Sequence, residues 1–313
     1  MMSFPATPAM ARHRPRARRL DRRKKVAGVL FILPAVIFVF TLMLYPVLYS
    51  GYMSFTDYNF VYDAEPTFTG LDNYLAAFSD PLFLVSLGNT FLYGAIYFVL
   101  VMVSSLAIAL LLFQRIRFGG FFRSAIFMPI VVPLSLASLV FLWMLQPGFG
   151  LVNYLLGDVL GQRWLAQPWL SNGDTAMGAI IVVSLWATIG FVTILFLGGL
   201  QGISADVLEA AELDGASGLK KVFLVILPNL RETYVLTGTW AIIHALKVFV
   251  EPMVLTDGGP GTSTLVLYQQ VYRTAFTYFD MGYASAMGYI LGAIILVLVF
   301  VNFLIGRTRR EDR

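Results

Sequence analysis

His244, Lys247 and Glu251 recur at spacings of three and four inside an apolar stretch, so they fall toward one side of a helix, with Lys247 and Glu251 placed to pair. Ionisable groups within an apolar helix mark a pathway more often than a lipid face, which makes all three candidates for a polar wall along a substrate path. The alternative is structural ion pairing, with Glu251 at the outer interface and His244 a packing residue. A second group, Trp186, Thr188 and Phe191 in WATIGF, combines aromatic faces suited to the C–H faces of sugars with a hydroxyl for hydrogen bonding. Its alternative is helix packing. Covalent chemistry has little support: the chain has no Cys, which excludes disulfides, thiolate clusters and thiol nucleophiles, and His13 and His244 are too few for a histidine-built metal site. No convincing nucleophile and base pair is present. No G-x-x-x-x-G-K-[ST] phosphate loop occurs either, and the glycine-rich DGGPGT (257–262) reads as a turn.

The elements that must position these groups are set by composition. Of 313 residues, 58% are hydrophobic and only 13% charged, well below the quarter or so typical of soluble domains. Apolar runs long enough to cross about 30 Å of hydrocarbon lie near 26–50, 84–113, 123–145, 176–199, 233–255 and 283–305. The reading is an all-α integral membrane protein with six transmembrane helices; the alternating segments of a β-barrel are not visible. Pro34, Pro46, Pro129 and Pro133 fall inside these runs, which membrane helices accept when neighbours satisfy the freed carbonyls.

Charge orients the spans. Arginine and lysine cluster over 12–25, at Arg115, Arg117 and Arg123, at Lys220, Lys221 and Arg231, and at Arg307, Arg309, Arg310 and Arg313. The alternate connections hold only Arg163 and Arg273 against many Asp and Glu, so the positive-inside rule places both termini in the cytoplasm. Residues 1–25 form a basic cytoplasmic tail, 26–306 the transmembrane domain and 307–313 a second tail. The basic start serves as a topology anchor beside anionic lipid rather than a nucleic-acid arm. A cleaved signal peptide is not expected, because the apolar stretch from Val26 exceeds a signal core and no A-x-A site follows it. Outside, 51–82 and 146–175 are expected to form caps with short helices over the bundle, Trp164 and Trp169 suiting the membrane interface. Ala284, Gly288 and Gly292 form a small-residue stripe, read as packing within the subunit in preference to a subunit interface.

The longest cytoplasmic connection, 201–232, contains EAAELDGAS. Ser204 is placed to cap a helix running to Leu213, Gly215 can take the left-handed conformation that ends it, Ser217 can cap a second helix, and Pro228 stops that one. Helix, sharp bend, helix is the expected outcome. Leu208, Ala211 and Glu212 share one side, while Glu209 and Leu213 stand a turn apart, giving a mixed apolar and acidic surface with small Ala210 and Ala211 for close docking. Carboxylates at Glu209, Glu212 and Asp214 would be repelled by an anionic inner leaflet, so another protein is the better partner.

Glu209, Ala210, Ala211, two intervening residues, then Asp214, Gly215 and Ala216, followed by Phe223 and the pair Leu227 and Pro228, resemble the EAA motif of binding-protein-dependent ATP-binding-cassette importer permeases. From Val26 onward the chain is similar to the carbohydrate-uptake permeases of the maltose-transporter inner-membrane subunit type, with FTGLDNY, LTDGGPGT and RTAFTYFDMGYASAMG as further matching segments. One departure is that Arg231 and Glu232 stand where family members commonly carry a further proline. The resemblance implies the type I importer permease fold, in the bacterial or archaeal cytoplasmic membrane. It implies that the EAA helix inserts into a cleft of a cytoplasmic ATPase subunit, with Asp214 and Gly215 fixing the bend and Glu209 orienting the docked helix. It also implies a second permease subunit, an ATP-binding subunit dimer that binds the ATP, an extracytoplasmic substrate-binding protein and a carbohydrate substrate. This chain itself needs no cofactor and is not expected to be an enzyme. By the same resemblance Trp186, Thr188 and Phe191 contact the sugar. A glycerol-phosphate substrate is the nearest alternative, although phosphate favours more cations than Lys247 alone. An ion-coupled secondary transporter is a further one, but it would call for internal repeats and an acidic or histidine relay.

Overall fold

The computed structural model describes residues 16–114 and 117–307; the basic stretch before Arg16, Arg115 and Ile116, and the tail after Arg307 lie outside the described residues. Helices dominate, because a backbone in hydrocarbon must satisfy its own hydrogen bonds. The chain divides into two compact units, Met1–Tyr52 and Met53–Arg313. In the first, α1 (Arg16–Val39) passes through a π turn (Phe40–Leu44) into α2 (Tyr45–Met53). Pro46 accounts for the turn: it donates no hydrogen bond and its ring crowds the carbonyl four residues back, so the helix widens. The stretch Val26–Met53 is long and apolar enough to span a membrane, and its most apolar window is exposed throughout.

The second unit begins with a short antiparallel pair, β1 (Thr56–Asp57) and β2 (Thr67–Phe68), and α3 (Asp72–Ala77). FTGLDNY builds this cap. Gly70 turns the chain at φ +67, and Asn73 Nδ2 donates to the Ser54 and Thr56 carbonyls at 3.1 and 2.8 Å. The long helix α4 (Pro81–Phe113) starts on Asp80, whose carboxylate accepts the Leu82 N–H at 2.9 Å, with Pro81 in the first turn. Tyr93, Tyr97, Val101, Ser105 and Ala109 recur every four residues along it and are fully buried. This stripe faces the later helix that follows residue 172, where the Ser105 hydroxyl donates to the Ile189 carbonyl at 3.1 Å.

The third expected span is not one helix. α5 (Gly119–Phe127) and a 3-10 turn (Met128–Val131) meet α6 (Leu134–Met144) at a bend of 96°. Pro129 and Pro133 are not accommodated inside a helix as the sequence reading expects. Pro133 excludes the helical conformation from Val132, which takes ψ 126, and Pro129 opens the 3-10 turn. Counted as one broken span, this pair completes a set of six with the five long apolar helical stretches among the described residues.

The connection after α6 holds α7 (Leu151–Tyr154), a π turn (Leu155–Val159) and a 3-10 turn (Arg163–Leu165). Trp169 Nε1 donates to Asn153 Oδ1 at 2.7 Å and closes this cap. α8 (Gly173–Gln201) is started by Asn172, which accepts the Asp174 N–H at 3.1 Å. Gly190 lets α5 cross it: a Cβ there would fall on the Ile126 carbonyl oxygen. The connection after α8 contains α9 (Ala205–Leu213), α10 (Gly218–Lys221) and α11 (Leu227–Asn229).

The fifth span is also interrupted, into α12 (Arg231–Leu246) and α13 (Val250–Leu255). Pro252 is the reason: it cannot donate to the carbonyl of Val248, and its ring crowds that carbonyl, so the helix cannot continue through 247–249. Then α14 (Leu267–Phe276) lies in the connection between α13 and the last helix, where the sequence reading has no helix. Its buried face sets Leu267 and Ala275 beside Gln269, Gln270 and Thr274. α15 (Met281–Arg307) closes the described chain. Of the small-residue stripe, Ala284 is buried within the unit, a Cβ on Gly288 would reach Val271 of α14 at an ordinary 4.0 Å, and a Cβ on Gly292 would meet open space. Asp280 accepts the Tyr283 N–H at 3.0 Å at the start of α15. Burial, with Asp57 and Asp63 nearby, pushes its carboxyl above the usual range despite that bond.

Candidate functional site

The order of residues in EAAELDGAS has a local explanation. Gly215 takes φ +77; its N–H donates to the Glu212 carbonyl at 3.0 Å, and the Ala216 N–H reaches back to the Ala211 carbonyl at 2.9 Å. These two bonds around a left-handed residue form a Schellman motif, which also calls for an apolar contact between the residues at its two ends. Ala211 and Ala216 occupy those ends and are both buried. Small side chains there, a glycine between them and Asp214 as the last residue before the turn therefore follow from one hydrogen-bonding pattern. Lys221 Nζ meets Glu212 Oε1 at 2.7 Å and ties α10 to α9 across the bend.

Ser204 and Ser217 precede α9 and α10 in extended conformation, as expected, but neither side chain makes the capping hydrogen bond. Pro228 does not stop the second helix. A π turn (Val222–Ile226) precedes it, so the widened helix accepts the proline and runs on to Asn229. Leu230, at φ −85 and ψ 8, alone separates α11 from α12, so the exit is set despite Arg231 and Glu232. Leu208 packs on the core and Ala211 is buried, while Glu209, Ala210, Asp214, Gly215 and Pro228 are exposed and Leu227 half-buried. Alongside the exposed acidic groups, Leu213, Leu219 and Phe223 are 89%, 75% and 63% exposed. Large apolar side chains this exposed, beside exposed carboxylates, form a patch of the kind that marks interaction sites.

Within the membrane, the structure brings some of the expected residues together and separates others. Phe191 packs on Trp240 at 4.9 Å between ring centroids. Trp240 stacks on His244 at 4.8 Å with planes 8° apart, and His244 meets Tyr97 at 5.6 Å. Tyr97 in turn stacks on Tyr93 at 5.6 Å. Phe191, Trp240 and His244 keep part of their surface exposed, as does Trp186, which packs edge-on against Phe141 at 5.2 Å. Trp240 and Tyr97 are missing from the sequence reading. The available signals were Trp240 one turn before His244 and the repeat of four that joins Tyr93 to Tyr97.

Two expectations are corrected. Thr188 is not a cavity hydroxyl: it is buried between α8 and α4, donates to the Ser184 carbonyl at 2.7 Å and shares a hydrogen bond with Tyr97 Oη at 2.8 Å. Lys247 and Glu251 make no ion pair among the described residues. The helix ends at Leu246, so the four-residue register that would join them is lost; Lys247 is exposed, whereas Glu251 is 2% exposed and its Oε1 accepts the Ser184 hydroxyl at 2.7 Å. DGGPGT is the turn that was expected, with positive φ at Asp257, Gly258 and Gly261. Arg273 of α14 holds Asp257 at 2.7 Å.

Residues 105–310 match the family model described as "Binding-protein-dependent transport system inner membrane component". Over 292 residues the chain is 32% identical to the probable ABC transporter permease protein YurN of Bacillus subtilis, covering 93% of this chain and 99% of that one. It is also 32% identical, over 297 residues, to the trehalose/maltose transport system permease protein MalF of Thermococcus litoralis, covering 94% and 98%. In fold it is similar to a chain of a bacterial alginate ABC transporter solved in complex with an alginate pentasaccharide-bound periplasmic protein. There the TM-score is 0.78 at 20% identity, over 92% of this chain and 96% of that one. With two thirds of its length matched by the family model and nearly all of it by relatives, the chain belongs to the binding-protein-dependent ABC transporter permeases, the multi-pass inner-membrane components of these transport systems.

Proposed function

We propose that this permease forms the translocation path of an ATP-driven carbohydrate importer together with a second permease subunit. An extracytoplasmic binding protein delivers the sugar, and a dimer of cytoplasmic ATPase subunits binds the ATP and grips the segment from Ser204 to Leu230. Closure of the ATPase then shifts the paired permeases between inward- and outward-facing states of different affinity for substrate and binding protein. The observation that carries the carbohydrate reading is the partly exposed aromatic row Phe191, Trp240 and His244, near the middle of α8 and of the fifth span, with Trp186 on the same α8. Ring faces bordered by a few polar atoms suit the apolar faces of a sugar.

The test is uptake of a panel of mono- and oligosaccharides by cells or proteoliposomes holding the whole complex. For the transported sugar, Trp240→Leu keeps apolar bulk but removes the ring face, so the half-saturation concentration inside the cavity should worsen by about tenfold, the scale of a lost aromatic contact. Unchanged kinetics in Trp240→Leu would remove the row from the site. Uptake of a phosphorylated glycerol with no sugar transported would replace carbohydrate with that substrate, and Lys247→Met would then be the damaging change.

A further inference from the structure

Both broken spans of this permease have short outer pieces, and the two pieces lie against each other. α13 packs chiefly on α6 and less on α8. Beyond them is a cavity of about 310 Å³ walled by Leu142 and Leu145 at the end of α6, Leu255 of α13, and Gln146, Ser171 and Thr256 among others. α13 is only six residues long. Before it the chain is broken at Phe249, with φ −149 and ψ −52, and after it comes the DGGPGT turn. A helix this short gains little from its own hydrogen bonds, so its place depends on side chains.

Glu251 is the charged side chain of α13 that reaches the long helices, beside Leu255, which packs into the same core as α4 and α8. Its Oε1 accepts from Ser184 Oγ at 2.7 Å, and Ser184 is itself fully buried on α8. One turn further along α8, Thr188 bonds Tyr97 of α4, so the donor Ser184 sits on the α4 and α8 pair that forms the main core. Burial removes Glu251 from the wall of a water-filled path. The exposed Lys247 is not its ion-pair partner. A buried oxygen left without its donor would cost far more than the bond itself contributes.

We propose that Glu251 is a positioning residue: through Ser184 it fixes α13, and α6 packed on it, against α8, and thereby sets the width of the outer cavity. The inference rests on the transport reading only for what the cavity admits; the position of α13 can be read without any substrate.

The chain has no Cys, so single reporters are unambiguous. Leu145→Cys and Leu255→Cys, at positions 8% and 4% exposed, are labelled from outside with a membrane-impermeant maleimide in the assembled complex. Each reporter is combined with Glu251→Leu, Ser184→Ala or Glu251→Gln. Loss of one interhelical hydrogen bond should raise labelling of both reporters by about fivefold in the Leu and Ala backgrounds, with maximal uptake lowered and ATPase recruitment unchanged. Glu251→Gln retains an acceptor oxygen for Ser184 and should label at the original rate, a rescue that a mere change of bulk would not give. Ser184→Ala removes a single oxygen and decides the matter if Glu251→Leu does not accumulate. Original labelling rates at both reporters in Ser184→Ala would overturn the proposal, and so would equally raised rates in Glu251→Gln. A complex that imports no carbohydrate yet shows the expected labelling would count against the transport reading while supporting the tether.

Discussion

Gly215→Val is expected to abolish substrate-stimulated ATP hydrolysis while leaving the protein in the membrane at near-normal abundance. At φ +77, a Cβ on this residue would meet nothing within 4 Å, so the penalty is one of backbone conformation and not of crowding. An ordinary L-residue pays roughly 1–2 kcal/mol in the left-handed region, and a β-branched one is a true outlier there. The backbone can escape only by breaking the bonds from Gly215 to Glu212 and from Ala216 to Ala211, which opens the bend between α9 and α10. Gly215→Asn should recover much of the activity, because Asn visits that conformation readily. Ala216→Ser should be far milder, although Ala216 is buried, since it adds only one oxygen. Purified complexes would be compared for co-purifying ATPase and for hydrolysis with loaded binding protein. Normal recruitment and stimulation in Gly215→Val would show that the bend does not couple the two subunits.

The second large effect is expected at Gly190, and it is one of stability. A Cβ on this residue would overlap the Ile126 carbonyl oxygen and approach the backbone carbon of Ile126 and the Cα of Phe127 at 2.8 and 3.0 Å. Backbone cannot rotate aside as a side chain can, so α5 must move off α8. Gly190→Val should therefore cost about 3 kcal/mol or more and sharply lower abundance. Gly198→Ala, on the same helix with nothing within 4 Å of its added Cβ, is the control and should be neutral or slightly stabilising. Membrane abundance and the thermal midpoint of the detergent-solubilised protein report the difference. Equal midpoints would mean that α5 and α8 do not cross as closely as described.

These two glycines also mark what the sequence made legible. The left-handed turn at Gly215 was readable because acidic, small and glycine residues interrupt an apolar chain in an order that only a local hydrogen-bonding pattern requires. Gly190 was not, since its role depends on a backbone arriving from residues 126–127, a contact with no local trace. The spans themselves were visible as long apolar runs. Their interruptions were missed for a different reason: an apolar run has the same composition whether straight or bent, and proline was weighed as tolerable at Pro133 and left unconsidered at Pro252. That second break also undid the expected pairing of Lys247 with Glu251, which assumed an unbroken helix. Thr188 failed likewise, because its neighbours on WATIGF carry no sign of which face meets α4. Trp240, Tyr97 and Tyr93 escaped notice because single aromatics in membrane helices are common, and only their meeting across α4, α8 and α12 gives them a shared surface.

The most direct measurement is energised uptake by the reconstituted complex, containing this permease, its second subunit and the ATPase dimer in proteoliposomes with carbohydrate-loaded binding protein outside. Accumulation should require ATP within the vesicle and the binding protein outside, should persist when proton and sodium gradients are dissipated, and should vanish in Gly215→Val. Accumulation driven by an ion gradient without ATP or the ATPase subunits would contradict the account.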